Sequence, residues 1–133
     1  MPAAIPEQVK TFLEKPNFAV LATHTQSGGI QATPVWFLQD GGEILINTSA
    51  GRKKLGNMEA NPRVTLVIVD RENPYRYVQI QGRVREFDKE HGPRDIDRLS
   101  QRYHGKPYPY SGGDAPTDRV TIRIAPDLVD SNF

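Results

Sequence analysis

Two tight glycine turns separate the first apolar runs of this 133-residue chain. TQSGG (25–29) lies between FAVLATH (18–24) and IQATPVWFL (30–38), and DGG (40–42) leads into EILINT (43–48). Successive parallel strands need a crossover of a dozen or more residues, usually a helix, and these turns leave no room for one. Glycine also accepts the positive φ that tight hairpin turns require. The sequence therefore predicts antiparallel hairpins rather than an α/β fold.

The rest of the chain adds further strands and three short helices. Pro34 interrupts the second strand, which indicates an edge strand or a bulge, and Gly82 indicates a bulge or bend in a long later strand. Apolar spacing predicts an amphipathic first helix with Ile5, Val9, Phe12 and Leu13 on one face. We further predict helices at 52–60 and 93–103, and strands at 64–69, 75–87 and 119–124. The expected fold is mainly β, a closed or nearly closed barrel of six or so antiparallel strands with short peripheral α-helices.

Composition excludes several classes of function. The length predicts a single domain over residues 1–133. A net charge of +1 provides no general field for nucleic acid, and the absence of cysteine excludes disulfides and thiolate chemistry. The start of the chain shows no signal peptide and no run is apolar enough to span a bilayer, so we expect a cytoplasmic protein with no membrane partner. His24, His91 and His104 lack metal-ligand spacing, so we expect no metal site.

A cluster of cations follows the third predicted strand. TSAGRKKLGN (48–57) combines the hydroxyls of Thr48 and Ser49 with the charges of Arg52 and Lys54, and Gly51 permits close backbone approach. A phosphate prefers such donors at a helix start. Cations at a helix start are repelled by the positive end of the helix dipole, so they reduce stability unless a bound anion offsets that repulsion. This segment alone leaves two interpretations open, a solvated basic turn and a phosphate site.

The ordered segments of the chain carry a resemblance to a known family. They are PNFAVLAT (16–23), TPVWF (33–37), NTSAGRKKLGN (47–57), NPRVTL (61–66), NPYRYVQIQGRV (73–84), IDRLSQRYHGK (96–106) and RVTIRI (119–124). Together they resemble the split β-barrel superfamily of the pyridoxamine-phosphate-oxidase type, and within it the branch of small reductases that use the deazaflavin coenzyme F420. The resemblance implies a Greek-key split β-barrel that forms a homodimer, with the cofactor at the subunit interface.

The resemblance also implies which residues bind the cofactor. Arg52 and Lys54 would hold its phosphate, and the strand around Pro34 would lie along the deazaflavin ring. Asn57 would brace the phosphate turn, or is an ordinary exposed helix residue. Lys53 and Gly56 depart from the family pattern and leave contacts to the cofactor tail open. The predicted cofactor-binding residues are Thr33, Pro34, Val35, Trp36, Thr48, Ser49, Gly51, Arg52, Lys54, Asn57 and Tyr77.

The function implied is an F420-dependent oxidoreductase that transfers a hydride to a small electron-poor acceptor such as an enone, a quinone or a tetrapyrrole-like molecule. Two alternatives remain open: an FMN-binding oxidoreductase of the same fold, and a cofactor-binding or storage protein without turnover. No catalytic side chain is identified.

The loop 104–118 is either ordered surface or a cap over the pocket. Tyr75 and Tyr77 are expected to share a strand face, for dimer packing or substrate contact. Candidate proton donors are solvent, Tyr75, Tyr77, Tyr103, Tyr108 and Tyr110.

Overall fold

The computed structural model describes residues 3–133. Its helices are α1 (Glu7–Leu13), α2 (Lys53–Ala60) and α3 (Gly92–His104). Its strands are β1 (Ala19–His24), β2 (Ile30–Val35), β3 (Leu38–Asp40), β4 (Glu43–Ser49), β5 (Arg63–Val69), β6 (Tyr77–Asp88) and β7 (Arg119–Ser131). All seven strands form one antiparallel sheet in the order β2-β1-β5-β6-β7-β4-β3. The mainly β split-barrel prediction is confirmed. No helix within 3–133 has the length and apolar character needed to cross a membrane.

The sheet curls because its two edge strands are neighbours in sequence. β2 and β3 lie at opposite ends of the strand order, yet only Trp36 and Phe37 connect them. Phe37 is fully buried, and its N–H donates to the Tyr103 hydroxyl at 3.2 Å instead of to a neighbouring strand. The prediction of one continuous strand over 30–38 is therefore wrong, and the sheet has seven strands where six or so were expected. The chain breaks there into two strands, and the barrel is split at this point.

Alternation along the strands places one apolar set inside the barrel. Inward side chains of β1, β4, β5, β6 and β7 pack with α1 and with Leu55 and Met58 of α2. A second, smaller cluster lies outside the barrel wall, where α3 covers β3 and β4. It contains Leu38, Leu45, Ile96 and Leu99, with Trp36, Tyr103, Tyr108 and Tyr110 packed against it. α3 therefore covers the barrel wall next to the split.

Pro34 and Gly82 behave as predicted. Pro34 lies opposite Val20 in edge strand β2, a position that tolerates proline because one side of the strand has no partner to pair with. Gly82 lies at a register shift between β6 and β7. A side chain there would overlap the backbone of Ala125, so the bulge needs a glycine.

Two predicted strand limits are wrong. β7 continues to Ser131 instead of ending at 124, because β6 is long enough to pair with it as far as Val78. Tyr75 lies in a turn, where its N–H donates to the Asn73 side chain, so it does not share a strand face with Tyr77.

Candidate functional site

A groove of about 280 Å³ opens where the barrel is split. It is bordered by the last residues of β2 and β4, the start of α2, one side of α3 and the start of β7. Its lining residues are Phe18, Pro34, Val35, Trp36, Asn47, Thr48, Ser49, Arg52, Lys54, Ile96, Leu99, Tyr108 and Arg119. Seven of the predicted cofactor-binding residues therefore meet in one place: Pro34, Val35, Trp36, Thr48, Ser49, Arg52 and Lys54.

One end of the groove is rich in positive charge and hydrogen-bond donors. We call Thr48, Ser49, Arg52 and Lys54 the anion site. Gly51, with φ of +88°, turns the chain between β4 and α2 and so brings the strand end and the helix start together. α2 has no acidic residue in its first turn and no side-chain cap at its N-terminus. The end of the helix dipole therefore adds to the positive charge of the side chains.

Lys54 is the half-buried cation of the anion site. Burial, and to a lesser degree the charge of Arg52, lowers the pKa of Lys54. Within residues 3–133 neither Lys54 nor Arg52 forms an ion pair with a carboxylate. A partly desolvated cation gains most from an anion placed directly against it.

The other end of the groove is aromatic. Trp36 stacks on Tyr103 with ring centroids 5.3 Å apart and an interplanar angle of 9°, and Tyr103 stacks on Phe18 at 5.5 Å. Tyr108 meets Trp36 edge-on at 6.5 Å. The open backbone edge of β2 runs beside this wall. A flat, hydrogen-bonding ring fits between an aromatic wall and an unpaired strand edge.

Arg119 lies in the groove, whereas its place in the sequence predicted only the start of a strand. It is 8% exposed, and its Nε donates to Asn47 Oδ1 at 2.9 Å. Its Nη1 lies 3.3 Å from Ser49 Oγ and 3.3 Å from Asp114 Oδ2. Asn47 is held in turn by donating to the Gly92 carbonyl. The one sequence signal was an arginine at the start of the alternating run RVTIRI (119–124), and its burial follows from the packing of α3 on β7.

Four predicted site residues do not line the groove. Thr33 has a buried hydroxyl without a hydrogen-bond partner, and Gly51 shapes the turn beside the groove. Asn57 is buried and donates to Thr23 and Gln31, so it ties α2 to β1 and β2. Tyr77 begins β6, away from the groove, and its role in binding stays a prediction.

The tyrosines of the second cluster differ in what their hydroxyls do. Tyr103 donates to the Asn17 carbonyl at 2.6 Å, which ties α3 to the segment between α1 and β1, and burial raises the pKa of its hydroxyl. Tyr108 donates to Asp114 at 2.8 Å, and burial together with that hydrogen bond raises its pKa. Tyr110 packs on Tyr108 with ring centroids 4.9 Å apart. The loop thus covers one side of the groove through Tyr108.

Sequence comparison assigns the chain to a family. The model of the family described as pyridoxamine 5'-phosphate oxidase matches residues 5–133. The chain belongs to the pyridoxamine 5'-phosphate oxidase family. No curated protein matches the chain significantly.

Solved structures of this fold place the chain among several relatives. A structure named F420 Reductase is 31% identical, with a TM-score of 0.84, over 95% of this chain and 98% of the other. The conserved hypothetical protein Rv2991 from Mycobacterium tuberculosis is 25% identical, with a TM-score of 0.74, over 98% of this chain and 85% of the other. The General Stress Protein 26 from Bacillus anthracis str. Sterne shares the fold at 18% identity and a TM-score of 0.70, over 95% of this chain and 92% of the other.

Proposed function

We propose that this member of the pyridoxamine 5'-phosphate oxidase family is an oxidoreductase that binds coenzyme F420 and reduces a small electron-poor acceptor, such as an enone, a quinone or a tetrapyrrole-like molecule. The proposal rests chiefly on one observation: Lys54 is a half-buried cation in the groove, beside Arg52, and no carboxylate within residues 3–133 pairs with it. The similarity to the structure named F420 Reductase supports the deazaflavin over FMN.

The residues present fit such a cofactor. Arg52 and Lys54, with the hydroxyls of Thr48 and Ser49, would hold its phosphate. Trp36 and the open edge of β2 would orient the ring and exclude water from one side. A reduced deazaflavin supplies a hydride, so the protein itself needs no nucleophile or metal.

The chain is also proposed to act as a homodimer. The outer face of β1, β2 and β7 exposes apolar side chains: Val20 is 39% exposed, Ile30 60% and Leu128 47%. Pairing places Val20 beside Pro34, and Pro34 also lines the groove. A second copy packed on this outer face, defined by Val20, Ile30, Pro34 and Leu128, would lie directly beside the groove and restrict access of water.

A titration with two cofactors tests the assignment. Trp36 is the only tryptophan of the chain and lies in the groove, so its fluorescence reports binding there. We expect F420 to bind about tenfold or more tightly than FMN, a difference of about 1.4 kcal/mol. Tighter binding of FMN would instead assign a flavin enzyme.

A second measurement separates an enzyme from a carrier. Protein loaded with reduced F420 is mixed anaerobically with a panel of enones, quinones and tetrapyrroles, and oxidation of the cofactor is followed by absorbance. We expect oxidation that depends on the acceptor and is faster than without protein. Binding without such oxidation across the panel would identify a storage protein.

A further inference from the structure

The loop that covers the groove carries a carboxylate placed against its cations. We call residues 106–114 the strap. Asp114 Oδ1 accepts a hydrogen bond from Ser49 Oγ at 3.1 Å, and its Oδ2 lies 3.3 Å from Arg119 Nη1. The groove adjoins a shallow depression that is lined by residues 49–52 and by Asp114 and Arg119. Of the described residues (3–133) that line the two, three are cations, Arg52, Lys54 and Arg119, and one is a carboxylate, Asp114. Asp114 thus provides the negative charge for one end of the groove.

Arg119 is held in place independently of Asp114. Its Nε donates to Asn47 Oδ1 at 2.9 Å and its Nη1 donates to Ser49 Oγ at 3.3 Å, and neither partner belongs to the strap. The ion pair with Asp114 uses a single nitrogen at 3.3 Å, rather than the two parallel bonds of which arginine is capable. The Arg119 side chain would therefore keep its position if another anion replaced the carboxylate.

The strap is attached to the barrel by side chains. Within the described chain (3–133), the strap forms one backbone–backbone hydrogen bond. It runs from the Asp114 N–H to the Ser111 carbonyl and so stays within the strap. Its hydrogen bonds to the rest of the protein run through Tyr108, whose N–H donates to Asp97 at 2.9 Å, and through Asp114 itself, while the rings of Tyr108 and Tyr110 pack against the second cluster. Glycines 112 and 113 precede Asp114 and give its backbone freedom to move. Displacement of Asp114 would break no strand pairing.

We infer that Arg119, together with Ser49 at the border of the anion site, forms a second anion-binding position in the groove, and that Asp114 occupies it as an exchangeable internal anion. A ligand with a phosphate or carboxylate group reaching this position displaces Asp114 and loosens the strap. The inference rests on the proposed use of the groove for an anionic ligand, but not on which cofactor that ligand is.

The variant Asp114→Asn tests the inference because it keeps the side-chain shape and removes the charge. If Asp114 competes with ligands, the variant binds inorganic phosphate more tightly, by about tenfold, since one charged competitor is lost. The matched control is Asp118→Asn, which removes the same charge four residues away, from a carboxylate without an ion pair in the described chain. Binding is followed by Trp36 fluorescence, and folding by circular dichroism.

Unchanged or weaker phosphate binding by folded Asp114→Asn would overturn the inference, because Asp114 would then support the site rather than occupy it. An equal gain in Asp118→Asn would also overturn it, since the effect would be one of net charge. If Asp114→Asn does not fold, Tyr108→Phe serves instead. It removes one hydrogen bond to Asp114, and a gain in phosphate affinity is again expected.

A parallel titration with glutarate distinguishes the chemistry of the occupant. A larger gain with phosphate assigns the position to a phosphate group, a larger gain with glutarate assigns it to a carboxylate, and no gain with either overturns the inference. Failure of F420 to bind would leave these results intact, so the two proposals fail separately.

Discussion

At the scale of single residues, the cations of the groove differ in whether a carboxylate pairs with them. Arg119 is paired with Asp114, whereas Lys54 has no carboxylate partner within the described chain. Lys53, one position earlier, is exposed and lines a different depression, beside the β1–β2 turn. Neighbouring lysines therefore have different environments, because a helix directs successive side chains about 100° apart.

Lys54→Ala should weaken cofactor binding by about 1.5–3 kcal/mol, the value of a charge-assisted hydrogen bond, with little change in the free energy of unfolding. Lys53→Ala is the control, and its exposed charge should contribute less than about 1 kcal/mol. Both are measured by titration and by chemical denaturation. Equal losses in the two variants would show that only general charge is involved.

Cofactor affinity should also depend on pH through Lys54. Burial, and then the charge of Arg52, lowers the pKa of Lys54, so the side chain loses its proton at a lower pH than an exposed lysine. Affinity for an anionic ligand should therefore fall as pH rises through that lowered pKa. Lys54→Arg should keep its affinity over the same range, because a guanidinium stays charged. Parallel curves for the two proteins would assign the pH effect to another group.

At the scale of elements, α3 connects the barrel to the groove. Asp95, 1% exposed, accepts hydrogen bonds from Thr121 of β7 at 2.7 Å and from Arg98 at 2.9 Å. Although burial acts in the opposite direction, the hydrogen bonds from Arg94, Thr121 and Arg98 lower the pKa of Asp95. The helix also begins at Gly92, directly against the backbone of Arg119. The position of Arg119 in the groove therefore depends on close packing of α3 on β7.

Gly92→Ala should destabilise the protein by about 1–3 kcal/mol, because the new methyl group would overlap the Arg119 carbonyl and force α3 outward. Gly56→Ala is the matched control in α2, where a methyl group meets no other atom within 4 Å. That change should stabilise by about 0.5–1 kcal/mol, from helix propensity alone. Urea denaturation measures both, and a neutral Gly92→Ala would show that α3 can shift freely.

At the scale of the whole molecule, the outer face of the sheet carries exposed apolar side chains beside the groove, with Thr65 and Gln81 between those of β1 and β7. Val20, Ile30 and Leu128 belong to β1, β2 and β7. The residue pairing across β5 and β6 places their side chains on the same face of the sheet. Exposed apolar groups on a contiguous sheet face are typical of an interface. Because Pro34 belongs to both the outer face and the groove, association and cofactor binding should be coupled.

Val20→Glu should therefore convert the proposed dimer to a monomer, and should weaken cofactor binding as well. Size-exclusion chromatography with light scattering measures the mass, and fluorescence titration measures the affinity. Phe87→Glu is the control, since Phe87 is similarly exposed, at 38%, but lies near the opposite end of β6 from Tyr77. A wild-type protein that is monomeric at micromolar concentration would contradict the proposed dimer.

Local patterns in the sequence were sufficient for much of the fold. The glycine turns predicted antiparallel pairing, Pro34 indicated an edge strand or a bulge, and Gly82 indicated a bulge or bend, each for a steric reason confined to a few residues. The break at Trp36 and Phe37 could not be predicted in this way. It depends on the hydroxyl of Tyr103, which is 66 residues away from Phe37 in the chain.

In the candidate site, too, some residues could be found from local sequence and others only from tertiary packing. By itself, the sequence determined that Arg52 and Lys54 follow a strand end closely, because that order is local, and its resemblance to the family implied that they and Trp36 belong to one site. Only the tertiary structure decided that Arg119, Asn47 and Asp114 join them. Burial of a charged side chain is set by what packs over it, here α3 and the strap, and no spacing within one strand records that packing.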